Sequence, residues 1–360
     1  MVIKQKVMFA LFLLTLVVSV LAIPLTDFIS PTLSNNAYTT NTNVEINVSI
    51  IEANLSEVKY NWNGTNYTYY NDSLVLMYNF DNVSALGENN TYVVDSAGIN
   101  NGTVHNGSLS TPNGRYDGAF TFDGVDDLIE IPTITFAGEF TISFWWKIIH
   151  DNAYRAAISE DSTGTSAKIA HANDGSSFFI RVINGGSSDS SVSLPSENEW
   201  HHISIVRDSS DKVDLYIDAS QPTRLFSDAA QSGNSLWSVI GRGSSDIGQH
   251  MNGTLDEFRI WNRSLSADEV YQQYVSNLKK VDSDSWELYV NQSKNATNGL
   301  NDGTYTYQTF ATSTFGSLNS TPLRTLTVDT TFPSINFTSP KALYIITVKY
   351  GTNNSQIWYK

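Results

Sequence analysis

The sequence predicts an all-β protein, a many-stranded jelly-roll sandwich set inside a smaller β-sandwich. Apolar and polar residues alternate with period two in segment after segment, the pattern of strands with one buried face. Clusters such as Asn173-Asp174-Gly175, Asn184-Gly185-Gly186 and Asp208-Ser209-Ser210-Asp211 part these segments at near-even spacing, as the turns of a sandwich or jelly roll do. Two β-rich flanks, 24–72 and 284–329, each hold too few strands to close a core alone. Together they hold enough. Insertion of the jelly roll into a loop of the flanking sandwich is feasible where the inserted ends meet at the surface; three modules in series is the alternative.

The elements follow in order. Lys4 and Lys6 precede an almost wholly apolar run, Val7 to Ala22, with Val20 and Ala22 suited to signal-peptidase cleavage. Residues 1–22 therefore read as a signal peptide, with an uncleaved anchor as the alternative, since the run is a little short for a span of about 20 residues. Val44, Ile46, Val48 and Ile50 then alternate with polar residues, as do Val58, Tyr60 and Trp62, and Asn63-Gly64 marks a turn. Leu74 to Phe80 opens the jelly roll, 73–278. Asp123-Gly124-Val125-Asp126-Asp127 is a tight turn, and the strand Leu128, Ile129, Ile131 stops at Pro132.

From Phe140, alternate residues fall on two faces: Phe140, Ile142, Phe144 and Trp146 on one, Thr141, Ser143, Trp145 and Lys147 on the other. Further strands are expected at 168–172, 178–183, 200–207, 212–218, 236–241 and 254–261. Ser266 with Glu269 is a capping box, starting one helix with Val270, Tyr271, Tyr274 and Val275 on its apolar stripe. Residues 286–328 return to the smaller sandwich, with Tyr305, Tyr307, Thr309 and Ala311 alternating with Thr306, Gln308 and Phe310. Residues 333–360 read as the start of a further, incomplete module, because "NFTSP" at 336–340 resembles "DFISP" at 27–31.

The chain has 360 residues, 41% hydrophobic and 16% charged, which suits a protein with a substantial core. It has no cysteine, so no disulfide can staple it. A net charge of −15 argues against nucleic acid and anionic membrane surfaces, both of which need clustered Lys and Arg. It is compatible with cations. N-x-S/T triplets recur from Asn47 to Asn353 and fit an exported glycoprotein, although a chain rich in Asn, Ser and Thr also makes such triplets by chance.

The blocks "SLVLMYNFDN", "DSAGINNGTV", "FDGVDDLIEIP", "FTISFWWK", "EWHHISIVRDSSDKVDLYIDAS" and "IGRGSSDIGQHMNGTLDEFRIWNRSLSADEV" occur in the order of the laminin-G-like, concanavalin A-like jelly roll. The resemblance covers nearly all of 73–278. The segments "WELYVNQS", "DGTYTYQTFATSTFG" and "LRTLTVD" resemble the last strands of an immunoglobulin-like domain. The expected architecture is thus a concanavalin A-like (laminin-G-like) jelly roll inserted in an immunoglobulin-like β-sandwich.

Hydrolases of this shape need two carboxylates flanking a cleft, about 5–5.5 Å apart for retention. Asp256 and Glu257 are adjacent, so on a regular strand they face opposite ways, and the chain is expected not to be an enzyme. His201 and His202 face opposite ways for the same reason and read as scaffold. The resemblance implies a structural calcium joining an early loop to a late strand, with Asp95 and Asp256 as carboxylate ligands and Asn100 or the Gly102 carbonyl beside them. A turn aspartate capping its own loop is the alternative for Asp95. For ligand binding, Trp145, Arg181 and Tyr216 each lie opposite the apolar residues of their strands, and could offer stacking and bidentate hydrogen bonds on one sheet face. Trp145 as part of the fold is the alternative. The expectation is a secreted or cell-surface protein that binds glycans or protein partners in adhesion or recognition. No membrane contact is expected beyond a possible N-terminal anchor. The rival reading is a structural spacer of a surface layer.

Overall fold

A computed structural model describes residues 23–106, 109–160, 166–189, 191–227, 233–243, 249–291, 299–331, 345–350 and 353–358, with side chains for all but 109–111, 345–350 and 353–358. The expected signal peptide lies outside the described residues.

Two sheets face each other to form the large sandwich. One has eight strands, in the order Thr223–Phe226, Val213–Ile217, Trp200–Arg207, Phe140–Ile148, Asn252–Trp261, Ala119–Asp123 and Leu109–Thr111, with Leu74–Tyr78 also paired to Asn252–Trp261. The other has seven, in the order Phe178–Arg181, Lys168–His171, Arg155–Ser159, Ser235–Ile240, Leu128–Phe136, Gly102–His105 and Tyr92–Val93. Period two determines what each sheet buries. Phe140, Ile142, Phe144 and Trp146 point into the core between the sheets, where they meet Ile129, Ile158, Ile169, Ile180 and Trp237.

The strand from Leu128 does not stop at Pro132. It runs on to Phe136, and its register with Ser235–Ile240 shifts between Glu130 and Ile134. Proline lacks the ladder donor, and a bulge is where a strand tolerates that loss.

The flanks build a second sandwich. Val44–Ile51 pairs with Ser285–Val290 over its length, and Leu55–Trp62 pairs with Gly303–Ser313. The resulting sheets have four and six strands. Ser276–Lys280 pairs with Ser285–Val290, so residues 276–278 belong to this sandwich rather than to the jelly roll. The large sandwich lies between the two flanks in sequence, and one apolar core runs through the junction. Leu74, Met77, Val206, Tyr216 and Trp261 of the large sandwich pack with Val58, Trp62, Trp286 and Leu288 of the small one.

The helix Ala267–Val275 links the two. Its Ser266 side chain accepts from the Glu269 N–H while Glu269 accepts from the Ser266 N–H, the full capping box. Of the expected further module, the described residues show one hairpin, Ile345–Tyr350 with Asn353–Trp358.

Candidate functional site

The site is built where the outer face of the four-stranded sheet meets a loop of the large sandwich. In Ser285–Val290, Trp286, Leu288 and Val290 are buried, so Glu287 and Tyr289 point the other way. Register sets Tyr289 beside Glu45 on one side and Asn277 on the other, and Glu287 beside Lys279. Arg115, Tyr116 and Asp117 come over this face from the loop before Ala119–Asp123. The eight side chains line a cleft of about 200 Å³.

Its electrostatics are mixed. The Lys279 ammonium bonds to Asp117 and lies 3.4 Å from Glu287. Burial opposes that charge, but the two carboxylates outweigh burial and hold the lysine above its ordinary range. Burial raises Glu287, against the pull of Lys279. The Arg115 guanidinium sits 4.8 Å from the Tyr116 ring centre and 4.6 Å from that of Trp145, within cation–π reach. Tyr116 and Tyr289 lie 5.3 Å apart, ring to ring. The cleft thus offers two aromatic rings, two cations, three carboxylates and an amide.

Beneath the floor lies a buried polar cluster. The Tyr116 N–H donates to Asp256 at 3.0 Å, and Asn277 donates to Glu257 at 2.7 Å. Glu257 also accepts from Asn79 at 2.6 Å and from Arg259 at 2.8 Å. Asp256 and Glu257 do not face opposite ways. The Asn252–Trp261 strand carries one extra residue against Phe140–Ile148, between Ser143 and Trp145, and Glu257 takes φ +51°. Such a bulge re-aims its side chains. Both acids enter the same cluster, where burial and mutual repulsion push their pKa values up. Asp81, close enough to add to that repulsion, is pushed up to about 7, chiefly by burial.

The expected site residues take other places. The Asp95 carboxylate accepts from the N–H groups of Met77, Ala97 and Asn100, at 2.9–3.0 Å. It caps its own loop and ties that loop to the first strand of the large sandwich. Asp256 accepts from Tyr116 and Glu257. The two shells share no residue. The Asn100 side chain donates to Val75, and Gly102 lies on the seven-stranded sheet against Val93 and Ile129. Among the described residues, Asp123, Asp126 and Asp127 bring ligand atoms within 4.8 Å of one another. That turn is closed by its own hydrogen bonds, Val125 N–H to Asp123 and Asp123 N–H to Asp127.

Trp145, Arg181 and Tyr216 do not converge. Trp145 is 2% exposed, stacked on Tyr274 of the helix and edge-on to Tyr116. Tyr216 is buried in the core shared by the two sandwiches. Arg181 stands on the other sheet, over Phe179. Alternation tells which residues share a face of one strand; it does not tell which sheet a strand joins. His202 is buried against Ser143, at 2.8 Å, and burial drops its pKa to about 3. His201 bonds to Asp218 at 2.7 Å.

The cleft residues themselves were missed. Their partial signal was the alternation of Glu287 and Tyr289 with the buried residues of their strand. No local pattern places Arg115 above them.

Residues 123–271 match the model of the concanavalin A-like lectin/glucanases superfamily. Among curated proteins, no sequence matches this chain. Similar solved structures include domain 4 of AbnA, a GH43 extracellular arabinanase from Geobacillus stearothermophilus, in complex with arabinotriose. It is 19% identical, with a TM-score of 0.36 over 55% of this chain and 96% of that one. The binding domain of Paraclostridial Mosquitocidal Protein 1 is 17% identical, with a TM-score of 0.42 over 58% and 54%. Trypanosoma rangeli sialidase is 14% identical, with a TM-score of 0.42 over 57% and 33%. This chain therefore spans about half of the mosquitocidal binding domain and a third of the sialidase. At such identities the likeness is one of fold alone.

The expectation that the chain is not an enzyme is corrected. The separation of Asp256 from Glu257 on which that expectation leaned fails at the bulge. The laminin-G-like resemblance read from the sequence is borne out over residues 123–271, which build most of the large sandwich and match the model of the concanavalin A-like lectin/glucanases superfamily.

Proposed function

We propose that this chain works outside the cell as a binding protein, and that the cleft between its two sandwiches recognises a glycan. The supporting observation is the lining itself. Tyr289, half-buried and backed by Tyr116, supplies a ring face for sugar stacking, while Glu45 and Glu287 supply acceptors for hydroxyl groups. Arg115 and Lys279 supply donors fixed by their own partners. A few convergent polar groups beside apolar surface are what a small-ligand site needs. The apolar run 7–22 behind Lys4 and Lys6, and the recurrent N-x-S/T triplets, support export. Protein partners carrying such glycans fit the same reading.

The test is a glycan screen followed by titration of the best oligosaccharide. Tyr289→Ala is expected to weaken binding by about 2 kcal/mol, roughly thirtyfold, when measured well below the unfolding midpoint of the variant, since Tyr289 also packs on Tyr116. Binding that survives both Tyr289→Ala and Arg115→Ala would sink the cleft as the site.

A further inference from the structure

Large exposed apolar side chains gather at one end of the small sandwich. Leu25 and Ile51 are directly paired across neighbouring strands. Ile23 stands two residues before Leu25. The Asn319 side chain donates to the Pro24 carbonyl at 2.7 Å, which brings Leu318 to the same edge. The Thr314 N–H donates to the Asn54 carbonyl at 2.8 Å, and so places Phe315 beside the turn that follows Ile51. Ile23, Leu25, Ile51, Phe315 and Leu318 are each between 53% and 63% exposed. Single exposed apolar residues need no explanation, but a contiguous group marks a contact surface.

The chain itself indicates what covers this end. Residue 22, immediately before Ile23, closes the apolar run that starts at Val7. At sixteen residues the run is a little short of the about 20 that a membrane span needs. A short span is met by thinning the bilayer and drawing flanking surface toward it. Lys4 and Lys6 precede the run, which by the positive-inside rule leaves the sandwiches outside. The opposite end of the small sandwich, where Val328 pairs with Gly303, sends the chain onward.

We propose that residues 7–22 stay attached as a membrane anchor, and that Ile23, Leu25, Ile51, Phe315 and Leu318 form a foot resting on the bilayer. The occupant is lipid, of neutral headgroup, because a chain of net charge −15 is repelled by anionic surfaces. The foot would hold the small sandwich against the membrane with the large sandwich displayed above it. This is independent of any ligand in the cleft.

The chain has no cysteine, so single labels can be placed cleanly. Full-length Phe315→Cys and Leu318→Cys, carrying an environment-sensitive fluorophore, are reconstituted in phosphatidylcholine vesicles. Ile99→Cys and Val125→Cys serve as controls, since both positions are exposed apolar sites on the large sandwich. Brominated lipid is expected to quench the labels at 315 and 318 and to leave those at 99 and 125 bright. Bright labels at 315 and 318, or equal quenching at all four, overturn the proposal. So does a chain recovered with Ile23 as its first residue and free of vesicles. Labels at 315 and 318 already shielded before lipid is added would instead indicate a second copy of the chain on this surface, and also overturn it.

Discussion

Arg259 is the cation on which the buried cluster depends. It donates to Glu257, Gln273, Asn277 and the Leu278 carbonyl, and it is 3% exposed. Removing it strips a buried donor from the Glu257 carboxyl, the Gln273 and Asn277 amide oxygens and the Leu278 carbonyl at once. Arg259→Leu is therefore expected to destabilise the fold by about 3–5 kcal/mol, read from denaturant midpoints at neutral pH. Asp81 makes a second case, with a sign that can be worked out. Its ordinary pKa is 3.8 and burial lifts it to about 7 in the folded chain. Between those values the folded state holds a proton that the unfolded state has released, so stability falls as pH rises through that window. Burial raises Asp256 and Glu257 too, and they add in the same direction. Asp81→Asn takes away one titrating group. The variant should gain on wild type by a few kcal/mol between pH 4 and pH 8. Denaturation series at the two pH values that run parallel for both proteins would refute this.

The helix Ala267–Val275 and the strand Asn252–Trp261 differ in what their sequences disclose. The helix start was legible because a capping box is local: Ser266 and Glu269 satisfy each other's backbone donors whatever surrounds them. Ser266→Ala should cost about 1 kcal/mol in equilibrium unfolding, and an unchanged midpoint would mean that packing of Val270 and Val275 alone holds the helix. The strand Trp200–Arg207 was likewise legible to the residue, from period two. The bulge at Glu257 was not, because register belongs to a pair of strands and neither sequence records it alone. Pro132 was misread for the same reason. The cleft was illegible at a further remove: Glu45, Arg115, Lys279 and Tyr289 come from three separated parts of the chain, and topology alone brings them together. Trp145 was a candidate ligand-facing residue because its strand alternates, with a place in the fold as the alternative; the helix that covers it lies more than a hundred residues on.

At the scale of the molecule, the two sandwiches share a core rather than a linker. Met77, Tyr216 and Trp261 from the large sandwich pack in one cluster with Trp286, Leu288 and Val58 from the small one. The small sandwich also needs strands from both sides of the large one, since Val44–Ile51 pairs with Ser285–Val290. Its loop-closure entropy is offset only when the large sandwich holds residues 72 and 276 near each other. Folding of the small unit thus depends on folding of the large one, and the shared apolar surface makes the dependence mutual. Trp286 tests this. It is 1% exposed and stands on a strand of the small sandwich. Trp286→Ala should cost about 3–5 kcal/mol. If the core is shared, unfolding stays a single transition and its midpoint drops whether followed at the small sandwich or by hydrogen exchange in Phe140–Ile148. A variant that splits into two transitions, with exchange in Phe140–Ile148 unchanged, would show that the large sandwich stands alone and that the cleft lies between independent bodies.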